Sequence, residues 1–158
     1  MLAQLDEQCL IRANSQFWEQ MLAMTVDPLP RHEGFSAAAG HLAGSVDLSG
    51  AWNGRIEVRM AEQLARDATA AMLMQRADQV GEEDTLDAIR EIANMIGGLI
   101  KSALPRPCSM ALPQASVETE DFSGKPQSEN SVTVVFRREA GGLMMVRVCE
   151  REYERGNG

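Results

Sequence analysis

Aromatic residues are scarce in this chain: four Phe, two Trp and one Tyr in 158 residues. Methionine and alanine are plentiful instead, so the core is expected to be aliphatic and Met-rich. Only three cysteines occur, Cys9, Cys108 and Cys149, far apart and with no CxxC. That argues against a disulfide framework and for idle thiols in a reducing compartment. His32 and His41 sit apart with no cysteine at ligand spacing, which argues against a metal site and leaves both as expected loop or surface residues. No apolar run approaches the roughly 18 residues of a membrane span. The N-terminus, "MLAQLDEQCLIRANSQFW", is too polar for a signal peptide. Positive charge is also in deficit: the net charge is -8, which disfavours nucleic acid and anionic lipid as partners. No Ser lies in G-x-S-x-G, and no Walker-type or dinucleotide-binding glycine loop occurs. The expectation is a cytoplasmic protein without nucleic-acid or membrane partners.

What is present fits one globular domain, with residues 1–150 folded and 151–158 a polar tail. Residues 4–24 place Leu10, Phe17, Met21 and Met24 at helical spacing. "TVDPLPRHEGFSAAAG" reads as a long loop. "HLAGSVDL" and "RIEVRM" alternate around the turn "SGAWNG", predicting a hairpin with Leu42, Val46, Leu48, Ile56, Val58 and Met60 inward. A second helix follows over "AEQLARDATAAMLM", with Leu64, Ala68, Ala71 and Met72 buried. A third opens near an N-cap at Asp84 or Thr85 and ends before "PRP" at 105–107. "ASVETE", "SVTVVF" and "LMMVRV" read as three strands joined by hairpin connections at "SGKPQSEN" and "EAGG". The predicted class is α+β, a mostly antiparallel sheet with helices packed against it.

The third helix carries Asn94, Gly97 and Gly98 in its interior, although each Gly costs roughly 1 kcal/mol there relative to Ala. At about 100° per residue, Leu86, Ile89, Ile92, Ala93, Ile96, Leu99 and Ile100 form a wide apolar arc. Asp87, Arg90, Glu91, Asn94, Gly97, Gly98, Lys101 and Ser102 fill the opposite one. The glycines could cap the helix, but "LIKSAL" continues the apolar phase without a slip. An E-x-x-N pair by itself is compatible with an ordinary solvated face. Beside glycines, where no side chain keeps another backbone away, the pair reads as a docking site.

The stretch "DAIREIANMIGG" resembles the signature helix of the chemotaxis phosphatases of the CheC/CheX/FliY family, D-x-x-x-E-x-x-N-x-x-x-G. Asp87, Glu91, Asn94 and Gly98 occupy its positions. "SVDLSGAWNGRIEVRM" is similar to the family's hairpin, and "SMALPQASVET" to the entry into its second set of strands, so the likeness extends over roughly residues 40–150. The resemblance implies a CheC/CheX-like fold and hydrolysis of the phosphoaspartate of a CheY-type response regulator, in chemotaxis or another two-component system. It implies that Asn94 orients the attacking water and Glu91 pairs with the receiver's lysine, as the catalytic residues. Asp87, Gly97, Gly98 and Lys101 would line the partner-binding face. The chain would need no cofactor of its own, the Mg²⁺ belonging to the receiver. A homodimer is compatible with the likeness, since some CheX-like members pair. A second E-x-x-N is missing from the first helix, where Glu7 is followed three on by Leu10 and Asn14 is preceded three back by Ile11. That favours one site and a CheX-like member over a two-site one. A non-catalytic receiver-binding adaptor and a dimerisation domain are the alternatives.

Overall fold

The computed structural model describes residues 5–30, 34–123 and 130–151. Helix α1 (Glu7–Leu22) starts at Asp6, whose carboxylate accepts the Cys9 N–H at 2.9 Å. This satisfies one of the donors a helix N-terminus leaves unpaired. Leu10, Ala13, Phe17 and Trp18 are buried, and the two aromatic rings meet edge to face at 5.5 Å. Met21, assigned to the same stripe, is 57% exposed. Its angle on the helix is right, but in the last turn the core is met by Leu22 instead.

The stretch assigned to a loop contains two short strands, β1 (Val26–Pro28) and β2 (Ser36–Ala37). Pro28 is tolerated because β1 is an edge strand. The predicted hairpin forms from β3 (Leu42–Gly50) and β4 (Gly54–Met60), with Leu42 opposite Met60 and Val46 opposite Ile56. All six residues expected inward are buried. In α2 (Glu62–Leu73), Leu64, Ala65, Ala68, Thr69 and Ala70 are buried, whereas Ala71 is exposed. The inward arc of this Ala-rich helix is turned from the one expected, because small apolar residues lie all around it and give little phase information.

After α3 (Glu82–Lys101) come β5 (Cys108–Met110), β6 (Gln114–Val117), β7 (Phe122–Ser123), β8 (Ser131–Arg138) and β9 (Leu143–Glu150). The main sheet runs β1-β8-β9-β4-β3-β5, with β6 also on β3, and every pair among the described residues is antiparallel. Gly141 and Gly142, both at φ 108, turn β8 into β9 as a hairpin. The other expected hairpin does not form. The "ASVETE" run contributes to β6 on the free edge of β3, while "SVTVVF" lies in β8 between β1 and β9. A lone run cannot reveal which strand edge it satisfies. Part of the connection between them, 124–129, lies outside the described residues, as do His32 and 152–158 of the tail.

The helices cover one face of the sheet and share its main core, built largely from Leu, Ile, Val, Met and Ala. On the opposite face, Val135 and Met145 pack with Phe35 and Ala37, beneath the two-stranded ribbon of β2 and β7. Among the described residues no helix is long and apolar enough to cross a membrane. The architecture is α+β, as the hydrophobic patterning predicts.

Candidate functional site

Helix α3 begins at least three residues earlier than its side chains suggest. Gly81 is the N-cap, and Asp84, at the third helical position, reaches back to accept the Gly81 N–H at 3.1 Å. Thr85 Oγ1 donates to the Glu82 carbonyl at 2.7 Å. Neither Asp84 nor Thr85 is therefore the N-cap. Glu82, Glu83 and Asp84 in the first turn and Lys101 in the last complement the helix dipole. The helix runs through both glycines to Lys101, so neither is a cap.

The inner face of α3 lies across β3. A Cβ on Gly44 would stand 2.6 Å from Ile89 Cγ2 and 3.3 Å from Ala93 Cβ. Strand and helix thus meet where the strand has no side chain. Ile89, Ile92, Ala93, Ile96 and Ile100 are fully buried. Gly97 belongs to this face. It is buried, and a Cβ on it would lie 2.8 Å from Val46 Cγ1, so its placement on the exposed arc is corrected. Angular sorting by hydropathy sets a glycine with its polar neighbours. The actual boundary follows the sheet beneath.

The remaining signature residues stand outward. Glu91 is exposed, and Asn94, one turn on, is half-buried. Neither side chain has a hydrogen bond or ion pair among the described residues. Gly98 is exposed, with nothing within 4 Å of where its Cβ would be. Asp87 is engaged by Arg90 Nη1 at 2.6 Å, so its carboxylate is tied to its own helix. Lys101 is half-buried on the last turn. The structure therefore brings Glu91, Asn94 and Gly98 together on one rigid face, with Asp87 and Lys101 at its ends, and takes Gly97 out of it. An unengaged carboxylate and carboxamide can pair with a cation and hold a water, but neither side chain is activated as a nucleophile by a neighbouring base.

The other chemically capable side chains are occupied elsewhere. Asn14 on α1 is fully buried and donates to the Leu10 carbonyl at 2.8 Å, so the asparagine of α1 faces the core and is not presented to a partner. His41, expected at the surface, is 2% exposed. Its Nδ1 lies 2.9 Å from the Ala38 carbonyl and its Nε2 3.1 Å from Arg59 Nη1. The sequence shows a histidine flanking a strand, whereas the β2–β7 ribbon that covers it is assembled from distant segments. Cys9 and Cys108 are buried and Cys149 half-buried, all as free thiols. Burial pushes the Cys9 and Cys149 thiols above their ordinary value, which keeps them protonated. Among the described residues, no three His, Cys, Asp or Glu side chains cluster as metal ligands would.

One neighbour of the site was not singled out from the sequence. Strand β5 runs along the sheet edge beside α3, with the Met110 methyl at its end 3.6 Å from the Cβ position of Gly97. The legible signal was the apolar "MALP" between two strands.

The family model for the chemotaxis phosphatase CheX matches residues 42–137. Solved structures share the fold. The chemotaxis protein CheX of Vibrio vulnificus superposes with a TM-score of 0.74 at 19% identity, over 96% of this chain and 100% of that one. CheX of Desulfovibrio desulfuricans gives 0.70 at 21% identity, over 91% and 97%. A CheX from Borrelia burgdorferi, solved in a CheX–CheY–BeF3–Mg²⁺ complex, gives 0.68 at 18% identity, over 92% and 97%. Curated protein sequences provide no match. With the family model spanning well over half of the sequence and including all of α3, the chain belongs to the chemotaxis phosphatase CheX family.

Proposed function

We propose that this protein accelerates hydrolysis of the phosphoaspartate of a CheY-type response regulator, with Asn94 and Glu91 as its catalytic residues. The observation that carries the reading is the pair of unengaged polar side chains, one helical turn apart, beside the bare surface of Gly98. Family membership supports the reaction class, and the Borrelia relative in complex with CheY supports the partner class.

The chemistry asks for positioning. A phosphoaspartate is an acyl phosphate that hydrolyses unaided. Water attacks phosphorus, the bond to the acyl oxygen breaks, and the aspartate carboxylate leaves with inorganic phosphate as the second product. The Asn94 carboxamide oxygen accepts one hydrogen bond from the water and aims its lone pair at phosphorus. Being neutral, it does not repel the phosphoryl group, as a carboxylate would. Holding the water in line replaces a random encounter with an oriented one. Glu91 pairs with the receiver's lysine and fixes the helix against the receiver. Gly98 admits the receiver's backbone. The receiver supplies the Mg²⁺. A helix whose inner face is locked on β3 holds both side chains more rigidly than a loop would.

The test follows phosphate loss from CheY-type receivers of the same organism, with wild type, Asn94→Ala and Asn94→Asp. Wild type should accelerate the loss, and both variants should lower turnover by about 100-fold. Neither should melt much below wild type, because the Asn94 side chain makes no hydrogen bond or ion pair within the described residues. Wild type failing on every receiver would sink the reading. Receiver binding with no turnover by wild type would favour the adaptor.

A further inference from the structure

The exposed residues of α3 are polar or bare. Such a face orients a partner but offers little apolar surface, and interface energy concentrates at a few well-packed, desolvated side chains. An exposed apolar side chain stands on the sheet edge that packs against α3. Gly97 is three residues from Asn94 and four from Lys101, so the three are neighbours on the helix. Met110 lies against Gly97, which puts the β5–β6 edge on the Asn94 side of α3. Two residues beyond Met110, Leu112 is 88% exposed.

This exposure does not come from a loose loop. Leu48 pairs with Met110 and Ser45 with Gln114, so β5 and β6 both anchor the connection to β3. Between them the Ala111 N–H donates to the Asp47 carbonyl at 2.8 Å. Pro113 restricts the backbone at Leu112. Residues 111–113 form a short arm held at both ends, with its leucine pointing away from the core.

Given the reading of α3 above, we infer that Leu112 is the apolar anchor for the receiver domain docked on Glu91 and Asn94. It contributes affinity and does not touch the reacting atoms. The arm borders the α3 face, because Met110 packs against the helix at Gly97, one turn on from Asn94, and a receiver docked on Asn94 reaches it. The net charge of -8 disfavours an anionic membrane as the occupant.

Steady-state dephosphorylation of the receiver tests this with Leu112→Ser, beside Asn94→Ala and Met74→Ser. Met74 is 94% exposed at the end of α2 and controls for loss of any surface hydrophobe. Leu112→Ser should raise KM by roughly tenfold with kcat unchanged. Met74→Ser should match wild type, and Asn94→Ala should lose kcat. An unchanged KM for Leu112→Ser, while Asn94→Ala still loses kcat, overturns the anchor and leaves the phosphatase reading intact. A fall in kcat at constant KM also overturns it. Inactivity of wild type overturns both together. If sedimentation shows a dimer that Leu112→Ser dissociates, the arm seats a second copy and the inference fails.

Discussion

Gly97 lies directly over Val46: a Cβ on the glycine would stand 2.8 Å from Val46 Cγ1, closer than packed carbons approach. Its neighbour Gly98 meets nothing within 4 Å. Two adjacent glycines in one helix thus do opposite things. Gly97 lets the helix settle onto β3, and Gly98 leaves its outer surface bare.

The pair should respond oppositely to alanine. At Gly98 the methyl group is free, and helix propensity should stabilise the protein by about 0.5–1 kcal/mol. At Gly97 the same propensity gain meets the stiff, β-branched Val46, and overpacking of about 1–3 kcal/mol should outweigh it. Thermal melts should show Gly98→Ala above wild type and Gly97→Ala below it. Both variants melting above wild type would mean that β3 yields easily under the helix.

His41 should prove structural. It is wedged between the Ala38 carbonyl and Arg59 Nη1, and Arg59 also stacks 4.1 Å from the centroid of Phe122. Glu57 and Glu118 pair with the same guanidinium. His41→Leu keeps the bulk and removes both side-chain contacts, leaving Arg59 Nη1 without its imidazole acceptor at 3.1 Å. Unfolding in urea should show a loss of about 1–3 kcal/mol, with faster amide exchange in the β2–β7 ribbon. Turnover on the receiver should be unaffected, because this cluster lies on the sheet face away from α3. A wild-type stability for His41→Leu would refute the role.

Acid should selectively remove one surface contribution. Asp47 accepts from Arg55 Nε at 2.8 Å and from Arg151 Nη2 at 2.8 Å. The hydrogen bond from Arg55, followed by the positive charge of both arginines, holds its carboxyl below the usual aspartate value. A lowered folded-state value means stability that is fully present above the unfolded value of about 3.9 and lost as pH falls through the folded one. Asp47→Asn should therefore be slightly less stable than wild type at neutral pH, by under about 1 kcal/mol for so exposed a pair. The gap should close on acidification below pH of about 3.9. Urea midpoints across that range measure it, and a gap that widens toward acid would reverse the assignment.

Much of this architecture was legible before any coordinates. Strict alternation in β3 and β4 specified both the hairpin and its buried face, because a period of two leaves one choice of side. The apolar period of α3 carried it through two glycines, and the spacing of Glu91, Asn94 and Gly98 put them on its outer face. Where the pattern was weak, the reading slipped. Ala71 faces outward in a helix apolar on several sides, and Met21 has the right angle on α1 but is left exposed in its last turn. The short strands β1 and β2 exist by pairing with segments far along the chain, which no local window contains.

The sequence by itself determined the helical and strand periods, the α+β class and the signature face, since each depends on residues within a few turns or pleats of one another. Only the tertiary structure decided that Gly97 faces inward, that His41 is buried, that β6 and β8 satisfy different edges, and that Leu112 is left exposed on the arm between β5 and β6. Those outcomes follow from contacts between distant segments. A glycine faces core or solvent according to what the rest of the chain places against it, and its own missing side chain records neither.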